Sequence, residues 1–240
     1  MPPTRRLFHF VSHYSVYNST ATAVTKDKGF SMSEQGDVEA LLRRIRDGDS
    51  GACAELFACF RDRLRRMVKL RLDRRLHGRL DASDVLQEAY LDISRRATEY
   101  AEKPDMPVYL WLRFLTGQRL LALHRHHLTA QKRDAGLEIV LHRGAMPQAS
   151  SVSLAAQLLG RLTSPTQAAQ RTELRVRLQE VLNAMDPLDR EILTLRHFEE
   201  LTNTEAAEVL GLQKSAASNR YIRALKRLKD ALGQASGFFE

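Results

Sequence analysis

Between Leu201 and Leu232 the chain reads as one helix, a glycine turn and a longer basic helix. Thr202 is placed to cap the first helix, and Glu205 three residues on completes a capping box. Ala206 and Ala207 are small enough to let a second helix approach closely. Gly211 supplies the left-handed backbone that ends the first helix. After the turn, Ala217, Tyr221, Leu225 and Leu228 recur at helical spacing, which predicts that they face a core. Asn219, Arg220, Arg223, Lys226 and Arg227 fall on the opposite side. The pattern predicts a helix-turn-helix whose second helix enters a DNA major groove. An amphipathic hairpin with a solvated basic face would also carry Lys-Arg runs. The coincidence of capping box, alanines, glycine and one-sided arginines favours DNA binding.

Most of the rest has the same helical period. Gly and Pro are sparse, and no strand-like alternation persists, so the fold class expected is all-α. The formal net charge is +8, and most of the 37 basic residues are arginine, whose planar fork suits phosphate oxygens and guanine edges. That balance favours an anionic partner. DNA fits better than a membrane surface, because no basic helix has a broad aromatic apolar face. No apolar run approaches the length of a membrane span. Cys53 and Cys59 would lie on different faces of one helix, so both are expected to be reduced, which fits a cytoplasmic protein.

Composition divides the chain into four parts. Residues 1–31 have no helical period and a single acidic residue, Asp27; they read as a disordered tail or a misassigned start, with Met32 an alternative first residue. Residues 32–128 form a first helical domain. Val38, Leu41, Leu42 and Ile45 make one face, and Asp49 or Ser50 caps the next helix. Cys53, Leu56, Phe57, Phe60, Leu64, Met67 and Val68 follow at three-four spacing. Helices are then expected from Asp84 to about Thr98 and, beyond Pro104 and Pro107, from Val108 to His127. Residues 129–166 are rich in Ser, Gly and Pro and read as a flexible linker with one short helix at Val152–Leu159. Residues 167–240 form a second helical domain. Leu174, Leu178, Val181, Leu182 and Met185 define its first helix. Asp186-Pro187 then starts another, with Leu188, Ile192, Leu195 and Phe198 expected inside.

Within this frame, Asp81-Ala-Ser-Asp-Val-Leu-Gln-Glu-Ala-Tyr-Leu-Asp-Ile93 resembles the region 2.2 signature of sigma-70-type RNA polymerase sigma factors. Arg46–Phe57 resembles region 2.1, and the helix containing Trp111-Leu112 resembles regions 2.3 to 2.4. Met185-Asp-Pro-Leu-Asp-Arg-Glu-Ile-Leu-Thr-Leu-Arg196 resembles region 4.1, and the terminal helix-turn-helix resembles region 4.2. Only two sigma domains fit this length, which is similar to the extracytoplasmic function (ECF) subfamily. The resemblance covers about Asp37 to Leu232.

The resemblance implies a set of sites. Asp84, Gln87, Glu88 and Leu91 share one helix side and would meet the β′ clamp helices of core RNA polymerase. Tyr109, Arg113, Gln118, Arg119 and Arg125 would meet the promoter −10 element, Tyr109 by stacking on an unpaired base. Trp111 is favoured as a core residue. The family often carries Asn where Gln118 stands. Lys214, Ser215, Ser218, Asn219, Arg220 and Arg223 would read the −35 element, because Asn and Arg make bidentate contacts to adenine and guanine. The second domain would sit on the β flap, and an anti-sigma factor is a further partner that the resemblance allows. His124, His126 and His127 lack a Cys or acidic ligand at standard spacing, so phosphate contact or a solvated helix end is favoured over a metal. Neither a metal nor another cofactor is expected.

The leading function is an alternative sigma factor that directs promoter-specific initiation. The alternative is a stand-alone helix-turn-helix regulator, and the N-terminal block lacks the strand-helix alternation of a receiver domain. An enzyme is disfavoured, because no phosphate loop, His-Glu-x-x-His or Gly-x-Ser-x-Gly motif is present.

Overall fold

A computed structural model describes residues 32–128, 146–162 and 168–233. Among these, all regular structure is helical. The helices are α1 Met32–Arg46, α2 Ser50–Arg71, α3 Ala82–Glu102, α4 Val108–Leu128, α5 Ser151–Leu162, α6 Ala168–Ala184, α7 Pro187–Leu193, α8 Asn203–Leu210 and α9 Lys214–Gly233. Residues 1–31, 129–145, 163–167 and 234–240, which hold the expected tail and part of the expected linker, lie outside the described residues.

Local chemistry sets most helix boundaries. Asp49, not Ser50, caps α2 by accepting from the Gly51 backbone N–H at 2.8 Å. Asp186 caps α7 with Pro187 in its first turn, where a missing N–H costs nothing. At α8 the capping box is reciprocal. Thr202 accepts from the Glu205 amide at 3.2 Å, and Glu205 accepts from the Thr202 amide at 2.8 Å. Gly211 then leaves the helix with φ of +62°. Helix α3 starts with a second capping box, Asp81 with Asp84, and runs further than expected at both ends.

The first block packs α1 to α4 around a core in which every apolar residue expected on α2 is buried. Tyr100 and Trp111 stack at 4.2 Å between ring centroids, so Trp111 is a core residue as expected. The second block packs α5, α6, α7 and α9. Leu154, Leu158 and Leu159 of α5 meet Leu174, Leu178 and Leu182 of α6 in one cluster. Helix α5 therefore packs with the second block, while Met146 just before it packs against the first. The apolar side chains of α5 recur at i, i+4, i+5, and this outweighed the Ser and Pro content on which the linker reading rested.

Two expected core positions differ. Leu188 is 39% exposed and Leu225 is 37% exposed. On α9 the inward line runs Ala217, Ala224, Leu228, with Tyr221 half-buried. Ala224 takes the place expected for Leu225 and joins the cluster of α5 and α6 leucines with Leu193 and Phe198.

The two blocks pack against each other. Ile192, Leu195, Leu201, Ala206, Ala207 and Ala217 extend the first block's core, while Leu70 of α2 joins the second. The Ser150 amide donates to the Leu70 carbonyl at 3.0 Å. Between α7 and α8 the helix widens into a π turn, Thr194–Phe198, and Glu200 then adopts φ of +59°. This irregular turn aims Glu199 and Glu200 at α2 and α4.

Candidate nucleic-acid and polymerase interface

The first turns of α9 are presented to solvent. Lys214, Ser215, Asn219 and Arg223 are exposed and Ser218 is half-buried. Gly211 ends α8 in the left-handed conformation, and the Asn203 amide side chain donates to the Lys214 carbonyl at 2.9 Å. That bond ties the start of α8 to the start of α9 and fixes how the second helix projects. Arg220 differs from its neighbours. It donates to Asp189 Oδ1 at 2.6 Å and to Asp186 Oδ1 at 3.2 Å. Position 220 lies three residues after Ala217 and four before Ala224, so its side chain leaves along the core edge and not from the exposed face. Asp189 is itself buried, and Arg220 is the charge that balances it.

The Val108–Leu128 helix is organised differently. Tyr109 is 3% exposed, lies under the Arg63 guanidinium at 3.7 Å and packs beside Phe60. Burial raises its phenol pKa, and its hydroxyl has no hydrogen-bond partner among the described residues. Arg113 is buried too, with Nε donating to Glu199 Oε2 at 2.7 Å. In this arrangement neither side chain is presented to a base. Their cover comes from Phe60, Arg63 and Glu199, too remote along the chain for any local pattern to signal it. Gln118 and Arg125 are exposed. Arg119 is half-buried and donates to Asp92 Oδ2 at 2.6 Å, with Glu88 Oε2 at 3.4 Å.

On α3, Gln87 and Leu91 are exposed, and Leu91 at 53% is a large apolar side chain with no cover. Glu88 faces both solvent and Arg119. Asp84 is exposed but accepts from the Asp81 amide at 2.7 Å, so it holds the start of α3 as well as contributing charge.

Sequence reasoning missed a buried ionic cluster. Arg71 of α2 donates from Nε to Glu199 Oε1 at 3.0 Å, from Nη2 to Glu191 Oε1 at 2.6 Å and from Nη1 to the Pro147 carbonyl at 2.9 Å. Its Nη2 also donates to Glu199 Oε1. Two guanidiniums, Arg71 and Arg113, thus meet two carboxylates, Glu191 and Glu199. Burial works to raise the Glu199 pKa, but Arg113 and Arg71 outweigh it and hold the carboxyl below its usual range. Arg71 sits 120 and 128 residues from its carboxylates and Arg113 sits 86 from Glu199, and no local pattern signals such pairs.

The histidines divide. His124 is buried, and its Nε2 accepts from the Asp73 amide at 3.3 Å. Burial pushes its pKa down to about 4. His126 and His127 meet edge to face near the helix end, and His142 lies outside the described residues. No group of three metal-ligating side chains occurs among the described residues. Cys53 is buried and Cys59 exposed, and both are free thiols. No described helix is long and apolar enough to cross a membrane.

Comparison with known proteins identifies the family. Residues 35–233 match the family described as ECF sigma factor. "ECF RNA polymerase sigma factor SigD" of Mycobacterium tuberculosis (strain H37Rv) is 27% identical over 90% of this chain and 93% of its own length. "ECF RNA polymerase sigma factor SigK" of Mycobacterium sp. (strain KMS) is 25% identical over 83% of this chain and 92% of its own. "RNA polymerase sigma-H factor" of Pseudomonas aeruginosa (strain PAO1) is 24% identical over 84% and 96%. That family is not an enzyme class. The chain belongs to the ECF sigma factor family and is an alternative sigma factor that directs transcription initiation, not a stand-alone regulator.

Proposed function

We propose that the two blocks divide promoter recognition and polymerase binding between them. The α9 face of Lys214, Ser215, Asn219 and Arg223 reads the −35 element, with Ser218 at its edge. Arg220 holds that helix in place through Asp186 and Asp189, and Lys214 and Ser215 lie near a helix N-terminus, where phosphate is favoured. The exposed surface of α4, Gln118 and Arg125, meets promoter DNA near −10, with Arg119 alongside. On α3, Gln87, Glu88 and Leu91 form the docking face for the polymerase β′ clamp helices, with Asp84 acting mainly as a helix cap. The second block would rest on the β flap. The protein would work in the cytoplasm with the polymerase, where its free thiols stay reduced.

The single observation that carries this reading is the exposed polar start of α9 behind a capped, glycine-terminated α8. Holoenzyme affinity for a set of single-base −35 variants tests it. Arg223→Ala should lose ~1–3 kcal/mol of discrimination at one base pair. Lys229→Ala should weaken binding evenly across sequences and reduce its salt dependence. An even loss with Arg223→Ala would show that α9 follows the DNA backbone only, and base reading would then lie elsewhere.

A further inference from the structure

We propose that Ile222 of α9 reads a thymine in the −35 element through the C5-methyl group of that base. The proposal rests on the reading that this face of α9 meets −35 DNA. It adds an apolar contact to a set of readers that is otherwise polar and charged.

Ile222 is the most exposed large apolar side chain among the described residues, at 62%. A single aliphatic on a protein surface is ordinary. The position of Ile222 is what sets it apart. Residues three and four apart are neighbours on a helix surface, so Ile222 stands beside Ser218 and Asn219 on one side and Lys226 on the other. At about 100° per residue it lies about 140° round from the inward line of Ala217, Ala224 and Leu228, and about 20° from Ser215. Leu225, by contrast, lies about 60° nearer the core and is less exposed. Ile222 stands about 12 Å along the axis from Lys214, a distance comparable to the width of the major groove. It is therefore within the stretch of α9 that a groove would enclose. A protein-docking site would surround it with apolar side chains, whereas its neighbours on this face are polar or charged.

The chemistry singles out one base. In the major groove all four bases present hydrogen-bonding groups, and only thymine adds a methyl group. An aliphatic side chain offers nothing to the amine of cytosine or adenine, and covering either amine would strip it of water without a replacement partner. Against the thymine methyl, the same side chain removes apolar surface from water on both sides of the contact. The β-branch of isoleucine holds it in one χ1 rotamer on a helix, so little side-chain freedom is lost when the contact forms. Serine, asparagine and arginine on the same face supply the hydrogen bonds that an isoleucine cannot, and Ile222 supplies the one contact that they cannot.

The test removes the methyl group alone. A promoter duplex that the holoenzyme transcribes is synthesised with each −35 thymine, on either strand, replaced in turn by deoxyuridine. Holoenzyme affinity should fall roughly fourfold at one position, the worth of burying one methyl group, and hold at the others. Ile222→Ala should bind the thymine and deoxyuridine duplexes at that position equally, with its affinity for core polymerase unchanged. Each protein is compared with itself on two duplexes that differ by one methyl group, so a change in fold stability cancels. If no deoxyuridine weakens the unsubstituted holoenzyme, or if Ile222→Ala keeps the full difference, the proposal is overturned. A loss of core polymerase affinity in Ile222→Ala would overturn it as well, by making Ile222 a protein contact. Whole base-pair changes separate this contact from the reading beneath it. If they alter affinity at −35 while deoxyuridine does not, only the Ile222 contact fails. If no −35 base-pair change alters affinity, α9 does not read the element at all.

Discussion

Two helices carry the residues expected to touch DNA, and they are built in opposite ways. The start of α9 stands clear of the core on a capped hairpin, and its polar side chains are in solvent. The first three turns of α4 are enclosed, and its arginine at 113 is spent on a carboxylate from the other block. The difference teaches that a basic side chain near an interface is not thereby a ligand for it. What matters is whether a closer anion already holds it. Arg220 makes the same point within α9, where it is one turn from exposed Arg223 yet bound to Asp189.

The comparison can be broken most forcefully at Glu199. Glu199→Ala leaves Arg71 and Arg113 buried without their shared carboxylate. Breaking such a cluster from one side should destabilise the fold by ~3–5 kcal/mol, read as a fall in the denaturant midpoint. A loss below about 1 kcal/mol would mean that α4 is no more enclosed than α9.

A second test uses acid at the far end of α4. The neutral His124 ring accepts from Asp73, between the Asp73 carboxylate and Arg75, and protonation would remove that acceptor. Its folded pKa, about 4, lies below the unfolded value near 6.5. Between those values the unfolded chain binds a proton that the folded chain refuses, so stability falls as pH falls through this window and is unaffected above it. From pH 6.5 to 5 the loss should reach ~2 kcal/mol, and His124→Asn should remove most of that slope. Equal slopes in the two proteins would show that this histidine is hydrated.

A third test is at Arg220, where the effect on promoter reading is expected to be the smallest. Arg220→Ala strands the buried Asp189 carboxylate and should cost ~1–3 kcal/mol of stability. Because Arg220 positions the helix, −35 discrimination should change far less than in Arg223→Ala once both variants are folded. A base-specific loss in Arg220→Ala would return that residue to the DNA face.

What the sequence revealed follows the range of the interactions involved. Caps at Asp49, Asp186 and Thr202, and the glycine turn at 211, were legible because each depends on residues at most three apart. The α2 core was legible because its apolar spacing leaves one choice of face. On α4 apolar residues occur nearly all round, so periodicity could not say which side is covered. The enclosure of Tyr109 and Arg113 depends on Glu199, 86 residues after Arg113. Charged residues are read as surface by default, and only the fold shows which ones meet a distant counter-ion.

Arg71 and Glu199 are 128 residues apart. At a synthesis rate of about 5–20 residues per second, the arginine joins the chain roughly 6–26 seconds before its carboxylate does. Helices collapse in far less time than that. The first block must therefore reach a compact state while Arg71 and Arg113 still face water. The two guanidiniums then serve the nascent chain as solubilising charges over an apolar face that awaits Ile192 and Leu195, and they become internal only when the second block arrives.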